Sequence, residues 1–139
     1  MKAKVVYYSR TGNTKKLADV FAEELECQAE STENVKFTET IDLLMIGGAV
    51  YATYEHNYHP SIDSFIKSIK KENVKQIVVF GTYAFGSSIE KLIALLKEQN
   101  LPVSAKIYIC KGKFLFFNWG KPGIKEVQGA REFIRKLIN

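Results

Sequence analysis

Short apolar runs alternate with stretches of helical periodicity from one end of the chain to the other. Ala3 to Tyr8 (AKVVYY) is a largely apolar run of the kind shown by a strand buried on both faces. After it, Leu17, Ala18, Phe21, Ala22 and Leu25 recur at helical spacing and predict an amphipathic helix of about three turns. Leu43–Ile46, Gln76–Phe80 and Lys106–Cys110 (KIYIC) are again short and apolar, and predict three more strands. Between them, Ile62, Phe65, Ile66 and Ile69, then Ile89, Leu92, Ile93 and Leu96, follow i, i+3, i+4, i+7, so each set lays one apolar stripe on a sheet. Val127, Ala130, Ile134 and Leu137 supply the same stripe for a C-terminal helix. The stretch from Glu26 to Asp42 breaks the alternation. It has room for a short edge strand near Gln28–Ser31, but barely one helical turn before Leu43. Glycines mark the expected strand ends: Gly47-Gly48, Gly81 and Gly112.

Strands separated by amphipathic helices imply right-handed βαβ crossovers and a parallel sheet covered on both faces. No linker, repeat or low-complexity segment interrupts the pattern, which predicts one α/β domain over residues 1–139. In such a sheet, ligands bind at the carboxyl ends of the strands, where the strand order reverses. Four loops therefore carry the candidate chemistry: Ser9–Thr14, Gly47–Pro60, Gly81–Ser88 and Lys111–Gly123.

Composition narrows the classes without choosing among them. With 139 residues, 46% hydrophobic and 25% charged, the chain has ordinary globular values, which exclude collagen, coiled coil and disorder. No apolar stretch approaches the roughly 20 residues that span a bilayer. The N-terminus runs straight into a strand-like segment without signal-peptide architecture. Cys27 and Cys110 make no disulfide framework and no metal-ligand spacing, so both are expected as reduced thiols in a cytoplasmic protein. The net charge of +5 is spread as Lys along helix faces, whereas a nucleic-acid binder concentrates it in one stripe.

The first loop, Ser9-Arg10-Thr11-Gly12-Asn13-Thr14, consists mostly of hydroxyls, an amide and backbone, placed between a strand and a helix. Glycine permits a tight turn in which successive N–H groups converge, and the helix N-terminus favours an anion. The hydroxyls of Ser9, Thr11 and Thr14 add donors without fixed charge, which suits a terminal phosphate. The loop lacks the Lys of the nucleoside-triphosphate motif and the G-x-G-x-x-G of dinucleotide folds. On composition alone, a polar turn with an N-cap remains the other reading.

Strand, then S-x-T-G-N-T, then an amphipathic helix resembles the phosphate loop of the flavodoxins, which hold flavin mononucleotide (FMN). The resemblance covers essentially the whole chain, and its length is similar to the short-chain members, which lack an insertion in the last strand. It implies a five-stranded, doubly wound parallel sheet in the order 2-1-3-4-5, an arrangement for which flavodoxin is the standard example. It implies that Ser9, Arg10, Thr11, Gly12, Asn13 and Thr14 hold the phosphate. Two further loops are then implied to flank the isoalloxazine ring: Ala49, Val50, Tyr51, Ala52 and Thr53 on one side, and Thr82, Tyr83, Ala84, Phe85 and Gly86 on the other. Tyr51 is the candidate for one ring face, and either Phe85 or Tyr83 for the other; core packing or exposure is the alternative for each ring. Ala52 stands where many members have glycine beside flavin N5, and its Cβ disfavours positive φ by roughly 1 kcal/mol. His56 and His59 of the second loop read as solvated side chains, or as proton relays or substrate contacts.

By the same resemblance the chain is an electron carrier, shuttling electrons between a reductase and an acceptor enzyme, with no acid–base or nucleophilic catalytic residue. The alternative is an FMN-dependent oxidoreductase acting on a small molecule such as a quinone or porphyrinogen. Ile46-Gly47-Gly48-Ala49-Val50-Tyr51, followed by Tyr and His, also resembles the menaquinone-dependent protoporphyrinogen oxidases, though these carry a longer segment before the final strand. Flavodoxins are typically acidic around the flavin. Here Lys111, Lys113 and Lys121 bracket the aromatic run Phe114-Leu115-Phe116-Phe117-Asn118-Trp119. The expected redox partners therefore have acidic docking surfaces, and Phe114–Trp119 reads as a buried lid or as an exposed patch for a partner or a membrane surface.

Overall fold

A computed structural model of the chain describes residues 1–9, 12–35, 38–48, 59–83, 89–111 and 122–139, with the side chains of Tyr83 and Lys111 left aside. Five strands alternate with four helices: β1 (Ala3–Tyr7), α1 (Asn13–Glu24), β2 (Ala29–Ser31), β3 (Ile41–Gly48), α2 (Pro60–Ser68), β4 (Val74–Tyr83), α3 (Ile89–Glu98), β5 (Val103–Lys111) and α4 (Ile124–Ile138). A 3-10 turn at Lys71–Asn73 precedes β4. The strands form one parallel sheet in the order β2-β1-β3-β4-β5.

Alternation along each central strand divides the core in two. Val5, Leu43, Met45, Val78 and Phe80 face α1 and α4, where they meet Leu17, Ala18, Phe21, Ala130 and Ile134. Val6, Leu44, Ile46, Ile77 and Val79 face α2 and α3, against Ile62, Phe65, Ile66, Ile89, Leu92 and Leu96. These strands are apolar at nearly every position because both faces are covered. Each fully buried Leu, Ile or Phe contributes roughly 1.5–3 kcal/mol of burial.

The short edge strand expected near Gln28–Ser31 is β2, which pairs with β1 at Val5↔Ala29, Val6↔Glu30 and Tyr7↔Ser31. The glycines differ in part from expectation. Gly48 is the last residue of β3, as expected, but Gly47 and Gly81 lie inside their strands, with Gly47 paired to Phe80 and Gly48 to Gly81. Their role is close approach. A Cβ on Gly47 would lie 2.2 Å from the Phe80 ring, and one on Gly81 would lie 2.7 Å from the Gly48 carbonyl oxygen.

Aromatic rings pin α1 and α4 to this side of the sheet. Phe21 meets Phe80 edge-on at 5.0 Å between centroids, Tyr108 at 5.8 Å and Phe133 at 6.3 Å. The Tyr108 hydroxyl donates to the Glu126 carbonyl at 2.6 Å. Burial, with the nearby Cys110, Glu126 and Glu132, pushes the phenol up to about 12. At their other ends α1 and α4 are joined by charge: Arg131 donates to Glu23 and Glu24, and Arg135 to Glu24. The Arg135 and Arg131 guanidinium groups hold the Glu24 carboxyl below its usual value.

Gly47→Ala is expected to cost roughly 1–3 kcal/mol, because the added methyl must displace a buried ring or bend β3. Urea denaturation should show a lower midpoint with an unchanged slope. A variant as stable as the parent would mean that Phe80 can vacate its place over Gly47.

Candidate functional site

The carboxyl ends of β1, β3 and β4 lie side by side at one edge of the parallel sheet. From β1 the chain passes through α1 to β2 on one side, whereas β3, β4 and β5 build outward on the other. The order therefore reverses between β1 and β3, which is where doubly wound sheets take ligands. The Tyr8 N–H donates to the Gly47 carbonyl at 3.1 Å, so the two strands stay joined up to the rim.

Immediately beyond β1 the chain turns sharply into α1. The Gly12 N–H donates to Ser9 Oγ at 2.9 Å, and the Gly12 carbonyl accepts the Lys16 N–H at 3.0 Å. Gly12 has φ +92° and ψ −6°, in the left-handed region. Nothing lies within 4 Å of where its Cβ would stand, so the requirement for glycine here is conformational and not spatial. This helix start carries no side-chain cap and no acidic residue in its first turn. The other helices have Asp63, Glu90 and Glu126 there, and the Glu126 carboxylate accepts the Gly123 N–H at the start of α4. The positive end of α1 is thus left without a carboxylate in its own first turn, which suits an incoming anion.

Thr14 is 1% exposed and is held from the sheet side: its Oγ1 lies 3.1 Å from Thr82 Oγ1 near the end of β4. The first and third loops, separated by 68 residues, are therefore joined by a pair of hydroxyls. Lys16 reaches from α1 to the carbonyl of buried Pro122 and ties down the chain where it enters α4.

On the other flank, His59 is half-buried and structural. Its ring stacks on Tyr8 with centroids 3.9 Å apart and planes inclined by 10°. Its Nδ1 accepts the Ser61 N–H at 3.2 Å and lies 2.8 Å from Ser61 Oγ, whose other neighbour is Thr32 Oγ1 at 2.7 Å. Since Nδ1 is already an acceptor, Ser61 Oγ donates to it and in turn accepts from Thr32. This chain fastens the end of β2 to the start of α2. His59 is therefore not a freely solvated loop side chain. The sequence His-Pro-Ser, with proline at the first helical position, is a legible cap signal that points to this role.

Of the expected site residues, Ser9, Gly12, Asn13, Thr14 and Thr82 are gathered at the rim, and the backbone of Tyr83 ends β4 beside Lys111 of β5. Arg10, Thr11, Ala49, Val50, Tyr51, Ala52, Thr53, Ala84, Phe85 and Gly86 lie outside the described residues, as do His56 and Phe114–Trp119. Among the described residues no group of three His, Cys, Asp or Glu side chains is placed to hold a metal ion, and no helix is long and apolar enough to cross a membrane. Neither Cys27 nor Cys110 is in a disulfide, and burial pushes the Cys27 thiol up.

Gly12→Ala is expected to destabilise the protein by about 1–2 kcal/mol through its positive φ, and Gly12→Asn by less, because asparagine tolerates the left-handed region. Urea midpoints of the two variants check this. Equal losses would point to a steric cause.

Comparisons with known proteins agree with this geometry. A family model described as a flavodoxin domain matches residues 4–115. A flavodoxin from the domain Archaea superposes with a TM-score of 0.74 at 20% identity, covering 99% of this chain and 96% of its own. Oxidised flavodoxin 1 from Bacillus cereus gives 0.77 at 16% identity, covering 99% and 97%. Rubredoxin oxygen:oxidoreductase from Desulfovibrio gigas gives 0.75 at 16% identity, covering 96% of this chain but 34% of that larger one. No curated protein sequence matches. A flavodoxin-domain match over most of the chain, on a sheet with this strand order, places the chain in the flavodoxin family, whose members are FMN-binding electron-transfer proteins.

Proposed function

We propose that residues 1–139 form a single FMN-binding domain that carries electrons between a reductase and an acceptor enzyme in the cytoplasm. One observation carries this reading: a left-handed glycine opens a helix with no acidic residue in its first turn, at the β1/β3 reversal, beside a buried threonine hydroxyl. That turn fits a phosphate dianion. Ser9, Arg10, Thr11, Gly12, Asn13 and Thr14 hold the phosphate in this proposal, through backbone N–H groups and hydroxyls. Ala49–Thr53 and Tyr83–Gly86 flank the ring, with Thr82 inside β4 at the root of the second of these loops. When bound, FMN supplies the one- and two-electron redox chemistry. The chain's own part is to seat it at the sheet rim and present it to partners. Two free thiols fit a reducing compartment.

Charge supports a finer statement about those partners. The loops at the carboxyl ends of the strands contain Arg10, Lys111, Lys113 and Lys121 against Glu55 alone, which is +3 of the net +5. Elsewhere several cations sit beside carboxylates, as in Lys15–Asp19, Lys75–Asp42 and Arg131–Glu23. The partner-facing end of this carrier is basic, and it suits redox proteins with acidic docking surfaces.

Purified protein should show a flavin visible spectrum. Combining Thr14→Ala with Gly12→Val should weaken FMN by about tenfold or more, given roughly 1 kcal/mol per lost hydrogen bond, and leave riboflavin nearly unchanged. Equal losses for both ligands would move the phosphate elsewhere. Turnover of a quinone or porphyrinogen without any partner protein would instead favour a flavin enzyme.

Electron transfer to an acidic partner should slow as salt rises, because the Debye length falls from about 30 Å at 0.01 M to about 8 Å at 0.15 M. Reversing Lys111 and Lys113 to Glu should remove most of that dependence. Reversing Lys70 and Lys71, which precede the amino end of β4, should not. A salt-independent rate in the parent would refute the acidic partner.

A further inference from the structure

We propose that Thr82 is a positioning residue for phosphate recognition, acting through Thr14. The inference rests on the FMN reading above and goes beyond the assignment of Thr82 to the ring loop. Thr14 Oγ1 is buried, and its neighbour at 3.1 Å is Thr82 Oγ1. A threonine hydroxyl has one proton to give and two lone pairs with which to accept. Without an anion, either hydroxyl of the pair can be the donor. Once Thr14 gives its proton to a phosphate oxygen, it can only accept from Thr82. Thr82 then donates, and the two bonds run in one direction and reinforce each other.

The placement of Thr82 makes it a support and not a contact of its own. It follows Phe80 by two residues on the same face of β4, so its side chain points toward α1. Thr14 precedes Phe21 by seven residues, so both lie on the stripe of α1 that faces the sheet. The hydroxyl pair thus repeats, one level nearer the rim, the α1–β4 contact made by Phe21 and Phe80. Removing the Thr82 hydroxyl leaves Thr14 free to turn its proton away from the anion. The second consequence is coupling. Thr82 lies one residue before the end of β4, where the chain enters the third loop, so phosphate occupancy fixes a side chain at the root of that loop.

The test measures FMN and riboflavin affinity for the full-length apoprotein and for Thr82→Val, Thr82→Ser, Thr14→Val and Thr82→Val/Thr14→Val, with thermal melts of each apoprotein. Thr82→Val should weaken FMN about five- to tenfold and leave riboflavin within about twofold, while Thr82→Ser restores FMN binding. The double variant should bind FMN no worse than Thr14→Val, since one bond then acts through the other. Added inorganic phosphate should raise the melting temperature of the parent and of Thr82→Ser more than that of Thr82→Val. Strictly additive losses, or an equal loss of riboflavin, would overturn the proposal and leave FMN binding intact. If Thr82→Val does not fold, an FMN affinity of Thr82→Ser no better than that of Thr14→Val would overturn it. A parent that binds riboflavin as tightly as FMN would overturn the phosphate assignment and this inference with it.

Discussion

Phe80 can lie flat against the sheet only because Gly47 has no side chain, and the placement of α1 follows from that contact. The Phe80 ring occupies the space where a Cβ on the neighbouring strand would be, and it presents an edge to Phe21. Aromatic pairs of this geometry add about 0.5–1.5 kcal/mol beyond burial, but their larger effect here is positional. With Phe21 fixed over Phe80, the helical repeat carries Thr14 to the rim beside Thr82, and Gly12 opens the helix just beyond β1. A bulkier residue at position 47 would lift α1, and the start of that helix would no longer stand over the β1/β3 reversal.

Polar groups serve the same alignment where apolar contact ends. At the base of the sheet, the Asp42 carboxylate accepts the Lys2 N–H at 2.8 Å and pairs with Lys75 at 2.7 Å, joining β3 to the start of β1 and to β4. The Lys2 backbone hydrogen bond and the Lys75 ammonium hold that carboxyl below its usual value. At the far ends of α1 and α4, Arg131 and Arg135 converge on Glu24. Such exposed pairs are worth little singly, but here two guanidinium groups share one carboxylate and fix the angle between helices that the Phe21, Tyr108 and Phe133 rings already hold together.

Most of this architecture was legible because it is periodic. Leu17, Ala18 and Phe21 announce α1 at a spacing of 3.6, and the apolar runs announce β1, β3, β4 and β5, though each of the last three proves longer than its run. Even β2, three residues in a stretch too short for a helix, was visible by elimination. Gly47 and Gly81, read as strand ends, misled for a physical reason. A strand-ending turn and a close approach between neighbours call for the same residue, and local sequence does not distinguish them. Thr14 with Thr82, Lys16 with Pro122, and His59 on Tyr8 were not legible as pairs, because each joins segments far apart in the chain and no periodicity encodes the meeting. At the site, the loop chemistry was readable as a phosphate turn, while the hydroxyl behind it required the fold.

An electron carrier faces two opposed demands: it must keep its cofactor through many cycles and release its partner after each one. On the proposed reading the chain separates them by using different physics for each. The phosphate turn uses backbone amides, a helix end and a buried hydroxyl, all short-ranged and strong where water is excluded. The lysines of the fourth loop act by long-range charge, which hastens encounter and is screened by ordinary salt, so they add little to the lifetime of a complex. Short-ranged donors beneath a basic rim therefore let cofactor affinity and partner choice vary largely independently in a flavodoxin-family chain with a net charge of +5.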